Sequence, residues 1–398
     1  MRLPLPRPPR ALALAASLAL AASLALAACH RAEEPPPSPP EVVVTPAPAA
    51  EPTPTPAPPP PPQPSPAPTP PKPLRSGPTF SLPTDNKALF SNDPASFFMF
   101  VDRYKDGITS QVWEGGSYGF VRNARTTAHG EVFTKFHEGI DIAPVARDPK
   151  GEPTDPVRAI ADGTVVYTLK PPLTSNYGNY LVVAHPCGPK AGTYYSLYAH
   201  LHHIETTVGT TVRRGEQLGV MGHTGAGIDR RRSHLHLEIA FLLTDRFDDY
   251  YTKHFRSPNG HGNFHGSNLT GIDAAAFLIA AHRDPGLTPA DFLKNDKPLW
   301  RALVPCRDGA ELDIVRRYPW LRLPGPPSAS WEIALNGAGV PLSISPSPQS
   351  VQFPAVSWVR PSPTSHSWAS RNLLSGSGNT ATLATEGARY LQLLSGDF

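Results

Sequence analysis

The chain has 398 residues, enough for more than one domain, but 51 of them are proline and these cluster. The formal net charge of +3 equals the charge of three arginines in the first 28 residues, so a mature chain without them is close to neutral. This balance argues against a nucleic-acid partner. The three cysteines lie far apart in the sequence, which excludes a zinc site built from thiolates.

Residues 1–28 have the layout of a secretory signal peptide, because arginines precede an apolar run over residues 11–28. The run ends in LAAC, which resembles the bacterial lipobox, where the leader is cut before a cysteine that then carries the lipid. We therefore expect Cys29 to anchor the protein to a membrane in the cell envelope. His30, in place of aspartate, favours the outer membrane facing the periplasm. An uncleaved membrane anchor is the alternative, since the run approaches transmembrane length.

Residues 29–78 are predicted to form a disordered linker that begins with the lipidated cysteine. Of the 48 residues from Arg31 to Pro78, 22 are proline, a composition that cannot bury a core and favours extended polyproline II. At ~3.1 Å per residue, such a tether reaches on the order of 150 Å. It would hold a folded domain at a distance from the membrane.

A globular domain is predicted over residues 79–285. At its start, Asn92 or Asp93 can cap a short helix that has Pro94 at its first position. Segments such as AIADGTVVYTL, YGNYLVVAH, YYSLYAHL and TTVRRGEQLGVMG read as short strands between glycine turns, with no strong helical period. We predict a mainly β fold, an antiparallel β-sandwich or partly open barrel with a few flanking helices.

Thirteen of the fifteen histidines fall within residues 129–282, which marks this region as the working part of the chain. In FHEGIDI, His137 and Asp141 flank a glycine, so a bent or bulged segment could bring both side chains to one point. The alternative is an aspartate that only orients the histidine. In YYSLYAHLHH, strand alternation places His200 on the face of His202, where it could equally be an ordinary strand-edge residue.

In RRRSHLHLEIA, strand alternation places His234, His236 and Glu238 on one face and apolar residues on the other. The alternative is a half-exposed strand with incidental histidines. Taken together, the clusters offer one carboxylate and several imidazoles, the ligand set that suits zinc. Once three of these side chains are assigned as ligands, two imidazoles remain for proton transfer.

The order of these motifs resembles the lysostaphin/LytM-type zinc endopeptidases, which cut the peptide cross-bridges of bacterial cell walls. H-x-x-x-D is followed by Y-A-H-L and then by H-x-H with an acidic residue after it. The similarity runs from HEGIDIAPV through AIADGTVVY, YGNYLVVAH and VRRGEQLGVMGHTGAG to HLHLEIA. It implies a Zn²⁺-dependent endopeptidase that acts on cross-links or stem peptides of peptidoglycan.

The resemblance also implies three zinc ligands and two catalytic histidines that do not bind the metal. The ligands fall on His137, Asp141 and His236, and the catalytic histidines fall on His200 and His234. Which catalytic histidine is the base stays open. Glu238 is a candidate for orienting a ligand imidazole, and a solvated strand carboxylate is the alternative.

The sequence departs from the family pattern near the H-x-H motif. Ser233 stands where the family commonly has proline, and Arg230–Arg232 crowd the entry to the strand, either as a solvated loop or to meet substrate carboxylates. Residues 245–268 form an unusual stretch rich in aromatic residues, glycine and histidine that could wall or cover a substrate groove. Its histidines are expected to be loop residues: His254, His261 and His265.

Residues 286–398 lie outside the resemblance and are predicted to be a small β-rich accessory region that binds cell wall or contacts the catalytic face. Thr288 and Pro289 mark a helix start, SWEIALNGAGVPLSI and SVQFPAVSWV read as strands, and TEGARYLQLL reads as a closing helix. Cys187 and Cys306 are as compatible with one disulfide as with two free thiols.

Three other functions compete with the endopeptidase. A LytM-type lipoprotein can be non-catalytic or autoinhibited and regulate other wall hydrolases. A metallo-carboxypeptidase acting on D-alanyl termini would have a longer His-to-Asp interval and a Trp-His motif, and this sequence shows neither. A carrier module is suggested by VRRGEQLG and ADGTVVY, which resemble biotinyl and lipoyl hairpins, but Lys170 is not at a hairpin tip as a carrier lysine must be.

Overall fold

The computed structural model describes residues 79–105, 107–170, 175–307 and 309–398. All described residues belong to one compact unit. The predicted signal peptide, Cys29 and the proline-rich linker lie outside the described residues. Among the helices that are described, none is long and apolar enough to cross a membrane. The predicted boundary after residue 285 stays a prediction.

Strands dominate the described part of the chain. They are β1 Val101–Lys105, β2 Ile108–Val112, β3 Gly119–Thr127, β4 Gly130–His137, β5 Ile140–Ile142, β6 Pro156–Arg158, β7 Gly163–Leu169, β8 Tyr180–Pro186, β9 Thr193–Ala199, β10 Leu201–Ile204, β11 Thr211–Val212, β12 Gln217–Met221, β13 Leu235–Leu242, β14 Leu269–Ile272, β15 Trp300–Pro305, β16 Ser330–Leu335, β17 Pro341–Ser347, β18 Ala355–Val359, β19 Leu374–Ser375 and β20 Thr382–Leu383.

Helices are fewer and flank the sheets. The α-helices are α1 Pro94–Phe97, α2 Phe247–His254, α3 Ala274–Arg283, α4 Pro289–Leu293, α5 Asp313–Arg317 and α6 Thr385–Ser395, and short 3₁₀ turns include Trp113–Gly116, Arg230–Arg232 and Pro319–Leu321. Two predicted helix starts are confirmed. The Asp93 side chain accepts a hydrogen bond from the Ser96 N–H with Pro94 at the first helical position, and Thr288 caps α4 in the same way.

The predicted mainly β, antiparallel fold is confirmed. One seven-stranded sheet has the order β11-β7-β8-β9-β13-β14, with β5 also paired to β13, and a three-stranded sheet has the order β10-β12-β6. Both sheets contribute side chains to the main hydrophobic core, for example Leu218 from β12 and Leu237 from β13. The sheets are open rather than closed into a barrel.

Strand β13 is buried on both faces. Leu235, Leu237 and Ile239 lie in the main core, as the alternating pattern predicts. Ala240 and Leu242 pack into a second apolar cluster. They lie on the same face of the strand as His236 and Glu238. The interpretation of a half-exposed strand is therefore wrong, because the far end of this face is covered as well.

The expected alternation through YYSLYAHLHH is wrong at one residue. Strand β9 ends at Ala199 and β10 begins at Leu201, and His200 between them has a φ of 62°, in the left-handed region. This residue turns the chain from the seven-stranded sheet into the three-stranded one. As a result His200 is buried whereas His202 is exposed, so the two do not share a face.

The C-terminal region is β-rich as predicted, with a four-stranded sheet of order β17-β16-β15-β18 and the closing helix α6. Its apolar side chains belong to the same core cluster as those of the seven-stranded sheet. The buried Tyr318 hydroxyl accepts a hydrogen bond of 2.8 Å from the backbone N–H of Leu242 in β13. The two parts are therefore packed together through a common apolar core.

Two further expectations are settled by the described residues. His254 is the last residue of α2 and not a loop residue, because Phe247, Tyr250 and Tyr251 give this segment a buried helical face. Cys187 and Cys306 are both free thiols. Burial raises the pKa of Cys187 to about 12, so this thiol stays protonated and unreactive at neutral pH.

Candidate metal centre

The three side chains assigned as ligands lie on three neighbouring strand segments. His137 ends β4, Asp141 lies in β5, and His236 lies directly opposite Asp141 in the antiparallel β5–β13 pair. The turn between the first two passes so close to β13 that a Cβ on Gly139 would meet the Leu237 carbonyl and lie 2.9 Å from His236 Nε2. Glycine is therefore required between these two ligands.

The ligand atoms form a nearly regular triangle. His137 Nε2 lies 3.2 Å from His236 Nδ1 and 3.1 Å from Asp141 Oδ1, and His236 Nδ1 lies 3.0 Å from Asp141 Oδ1. A tetrahedral zinc bound at about 2.0–2.1 Å needs ligand atoms roughly 3.3 Å apart. The donor set and its spacing therefore fit zinc, and within the described residues these side chains form the group able to hold a metal ion.

Hydrogen bonds on the far side of each imidazole set its tautomer. His137 Nδ1 lies 2.8 Å from the Ser117 carbonyl, and His236 Nε2 lies 3.1 Å from Glu238 Oε1, so these nitrogens carry the hydrogens. The other nitrogen of each ring faces Asp141 Oδ1, so once both are deprotonated, two lone pairs and a carboxylate oxygen can bind a cation. Glu238 is buried and hydrogen-bonded to His236, so it is not a solvated carboxylate.

His200 and His234 lie beside the triangle, with ring centroids 4.8 Å apart. His200 Nδ1 donates to the Thr224 carbonyl at 2.8 Å, and His234 Nδ1 donates to the Arg232 carbonyl at 2.6 Å. In both rings Nε2 is therefore the nitrogen left for other partners, and in His234 it lies 3.3 Å from Asp141 Oδ1. The structure thus brings all five predicted residues and Glu238 into one cluster.

The charges of the cluster are strongly coupled. Burial alone would raise the pKa of Asp141, but the adjacent His137 and His234 hold that pKa well below its ordinary value. Burial alone would lower the pKa of His236, but its hydrogen bonds to Asp141 and Glu238 raise it to about 10. Burial, reinforced by the neighbouring imidazoles, holds the pKa of His200 well below its ordinary value, so this ring is neutral at pH 7.

Two further side chains, which the sequence did not point to, complete the site. Arg122, on β3, donates to Asp141 Oδ2 at 2.6 Å and so holds the carboxylate with its other oxygen toward the imidazoles. The Tyr177 hydroxyl donates to Glu238 Oε1 at 2.6 Å. Arg122 has no motif around it, but Tyr177 begins the segment YGNYLVVAH, whose polar start before a buried strand was an available signal.

Two of the three arginines before the H-x-H motif form ion pairs within the protein. Arg230 forms an ion pair with Glu152 at 3.3 Å, and Arg231 forms one with Asp102 at 2.5 Å. Ser233, in the position of the family's proline, donates to the Arg230 carbonyl and is fully buried. These contacts indicate that this turn positions His234, since the turn also supplies the carbonyl that fixes its tautomer.

Comparison with known proteins places the site within a family. Residues 135–246 match the family model Peptidase family M23. Over 103 residues the chain is 36% identical to the peptidoglycan DD-endopeptidase ShyA of Vibrio cholerae. This match covers 26% of this chain and 20% of that protein. It is 31% identical over 103 residues to an uncharacterized metalloprotease of Buchnera aphidicola, covering 26% of this chain and 23% of that protein. The match thus spans about a fifth of the length of these relatives.

Solved structures with related sequences include a zinc-containing peptidase from Vibrio cholerae, 27% identical, with a TM-score of 0.21 over 34% of this chain and 41% of that one. The catalytic domain of lysostaphin from Staphylococcus simulans is 20% identical, with a TM-score of 0.24 over 41% of this chain and 88% of that one. At these TM-scores the family assignment rests on the sequence match. Residues 135–246, which carry the proposed ligand triangle, His200, His234 and Glu238, match peptidase family M23, and the resemblance to the lysostaphin/LytM-type family is confirmed for this segment.

Proposed function

We propose that this protein is a zinc-dependent endopeptidase that hydrolyses peptide cross-links or stem peptides of bacterial peptidoglycan. The observation that carries the proposal is the convergence of His137 Nε2, Asp141 Oδ1 and His236 Nδ1 within a peptidase family M23 segment. Peptidoglycan as the substrate is supported by the similarity to a peptidoglycan DD-endopeptidase.

His137, Asp141 and His236 would hold the zinc ion. Bound zinc supplies Lewis-acid chemistry, since it activates water at neutral pH and polarises a carbonyl group. His200 and His234 present Nε2 beside this position, because Nδ1 of each ring donates to a backbone carbonyl. One of them accepts the proton of the attacking water, and the other, once protonated, donates to the developing oxyanion or to the leaving amine.

The test uses residues 79–398 of the wild type, with His236→Ala and, as a matched control, His203→Ala, whose side chain is 51% exposed and outside the site. Bound zinc is measured by elemental analysis, and peptides released from purified peptidoglycan are identified by mass spectrometry. We expect about one zinc per chain in the wild type and control, and cleavage at least about a hundredfold slower in His236→Ala.

The outcomes separate the candidate functions. New peptide ends that disappear in His236→Ala support the endopeptidase and identify the bond. Zinc without cleavage supports the alternative, a non-catalytic or autoinhibited LytM-type lipoprotein that regulates other wall hydrolases. A wild type that binds no zinc contradicts both the metal assignment and the enzyme.

The location in the cell is part of the same proposal. The lipobox-like LAAC sequence supports anchoring through a lipid on Cys29, in the outer membrane. The proline-rich residues 29–78 would then act as a tether that lets the folded domain reach the cell wall. Fractionation of cells producing the full chain and Cys29→Ala tests this. Recovery of the wild type in a secreted or inner-membrane fraction contradicts the outer-membrane assignment.

A further inference from the structure

A cleft of about 640 Å³ opens beside the candidate metal centre. Tyr177 connects the two, because it lines the cleft and its ring lies 5.6 Å from the ring of His236. The cleft has three walls of different origin. The family segment contributes Glu138 and Tyr177, the stretch 245–268 contributes His261 and His265, and the C-terminal region contributes Arg371.

Arg371 is held in place by its backbone and by two contacts. Its φ is 54°, in the left-handed region that few residues other than glycine adopt without a structural reason. The guanidinium lies 5.0 Å from the centre of the Phe136 ring, and Nη1 donates to the Ala338 carbonyl at 3.3 Å. Stacking uses the flat face of the guanidinium and leaves donors at its edge for a ligand.

The Glu138 carboxylate near Arg371 does not accept a hydrogen bond from the guanidinium. Arg371 Nη2 lies 3.7 Å from Glu138 Oε1, which is beyond hydrogen-bond distance, and the Arg371 side chain is 24% exposed. Among the described residues that line the cleft, Arg371 is the one with a permanent positive charge. A carboxylate entering the cleft would therefore meet one oriented guanidinium, the side chain best suited to bind it through two parallel hydrogen bonds.

We propose that Arg371 binds a free carboxylate of the substrate peptide next to the bond that is cut, and so makes the C-terminal region part of the specificity site. The inference rests on the endopeptidase function proposed above. An arginine in this position favours one class of substrate over another. The favoured class is stem peptides that are cross-linked through a diamino acid with a free carboxylate. Bridges made of glycine are disfavoured, because they offer no free carboxylate within the bridge.

The experiment uses two purified cross-linked stem-peptide dimers that differ only at the diamino acid, which carries a free carboxylate in one and a carboxamide in the other. Binding is measured by calorimetry and cleavage by mass spectrometry for the wild type, Arg371→Gln and Arg371→Lys. The control is Arg214→Gln, which removes one exposed positive charge outside the cleft.

We expect the wild type and Arg214→Gln to bind and cleave the carboxylate dimer at least about tenfold better than the carboxamide, a factor that corresponds to about 1.4 kcal/mol. In Arg371→Gln, binding and cleavage of the carboxylate dimer fall to the level of the carboxamide, so the preference is lost, and Arg371→Lys keeps part of it. A preference in binding without cleavage supports Arg371 and overturns the endopeptidase. Cleavage with the same preference in the wild type and Arg371→Gln overturns the role of Arg371, and so does a wild type that binds both dimers equally.

Discussion

At the scale of single residues, the candidate site depends on protonation. His236 donates from Nε2 to Glu238 and faces Asp141 with Nδ1. In the metal-free protein these two carboxylates raise the pKa of His236 to about 10 against the effect of burial, so at pH 7.5 the ring holds a proton on each nitrogen. The proton on His236 Nδ1 then supplies part of the positive charge that a metal ion would bring to the triangle.

This protonation predicts a pH dependence of zinc binding. Zinc must displace the proton on His236 Nδ1, so binding at pH 7.5 should release at least about one proton per zinc, and affinity should rise with pH up to the pKa near 10. Calorimetry in two buffers with different ionisation enthalpies measures the proton count. An affinity that stays constant between pH 7 and pH 9 would contradict the assignment of His236 as a ligand.

At the scale of elements, strand β13 organises the centre. Its first half pairs with β5 on one edge and with β9 on the other, so His236 lies between Asp141 and Ala199. The chain leaving β9 turns at His200 into the three-stranded sheet, and the His200 ring stays beside His234, which precedes β13. The close passage of the Gly139 turn against β13 is what allows His137 and Asp141 to reach one point.

We therefore expect Gly139→Ala to damage the centre. The added Cβ would meet the Leu237 carbonyl and lie 2.9 Å from both Glu238 Cγ and His236 Nε2, so the turn must move away from β13. Overpacking of this kind costs about 1–3 kcal/mol in the free energy of unfolding, and bound zinc should fall well below one per chain. Urea unfolding and elemental analysis measure the two effects.

Gly260→Ala is the matched control, because a Cβ there has no neighbour within 4 Å and the backbone is not left-handed. This variant should keep the wild-type zinc content and stay within about 0.5 kcal/mol of wild-type stability. If Gly139→Ala behaved like the control, the turn would not be what positions the two ligands.

At the scale of the whole molecule, the C-terminal region packs against the segment that matches the family, residues 135–246. Tyr318 is 1% exposed, and its hydroxyl accepts from the Leu242 N–H of β13. Arg317, next to it, forms an ion pair with Asp313 at 2.7 Å and donates to the Leu243 carbonyl. The end of the strand that carries His236 is therefore held by residues beyond the family match.

This packing predicts that the two parts unfold together. Tyr318→Phe leaves a buried N–H without its acceptor, so it should lower the free energy of unfolding of residues 79–398 by about 1–3 kcal/mol and keep a single transition. Tyr104→Phe, at a side chain that is 76% exposed, should have no measurable effect. Circular dichroism and tryptophan fluorescence during urea unfolding provide two probes, and two separate transitions would support a domain boundary near residue 285.

Much of the centre could be predicted because its ligands lie in short motifs. Strand alternation alone places His236 and Glu238 on one face, and the spacing of His137 and Asp141 around a glycine allows a bend. The His200 prediction rested on the family resemblance, since simple alternation would have placed this side chain beside the exposed His202. Local periodicity does not report a single left-handed residue.

The sequence by itself determined the β class, the two faces of β13 and the histidines and aspartate of the candidate site, because periodicity and residue chemistry act over a few neighbouring positions. The tertiary structure alone decided that Arg122 holds Asp141, that Tyr177 bonds to Glu238 and that Arg371 enters the cleft beside the centre. Arg371 lies more than a hundred residues beyond the H-x-H motif. Contacts of this kind arise from strand pairing and core packing across the whole chain, for which short-range patterns carry no signal.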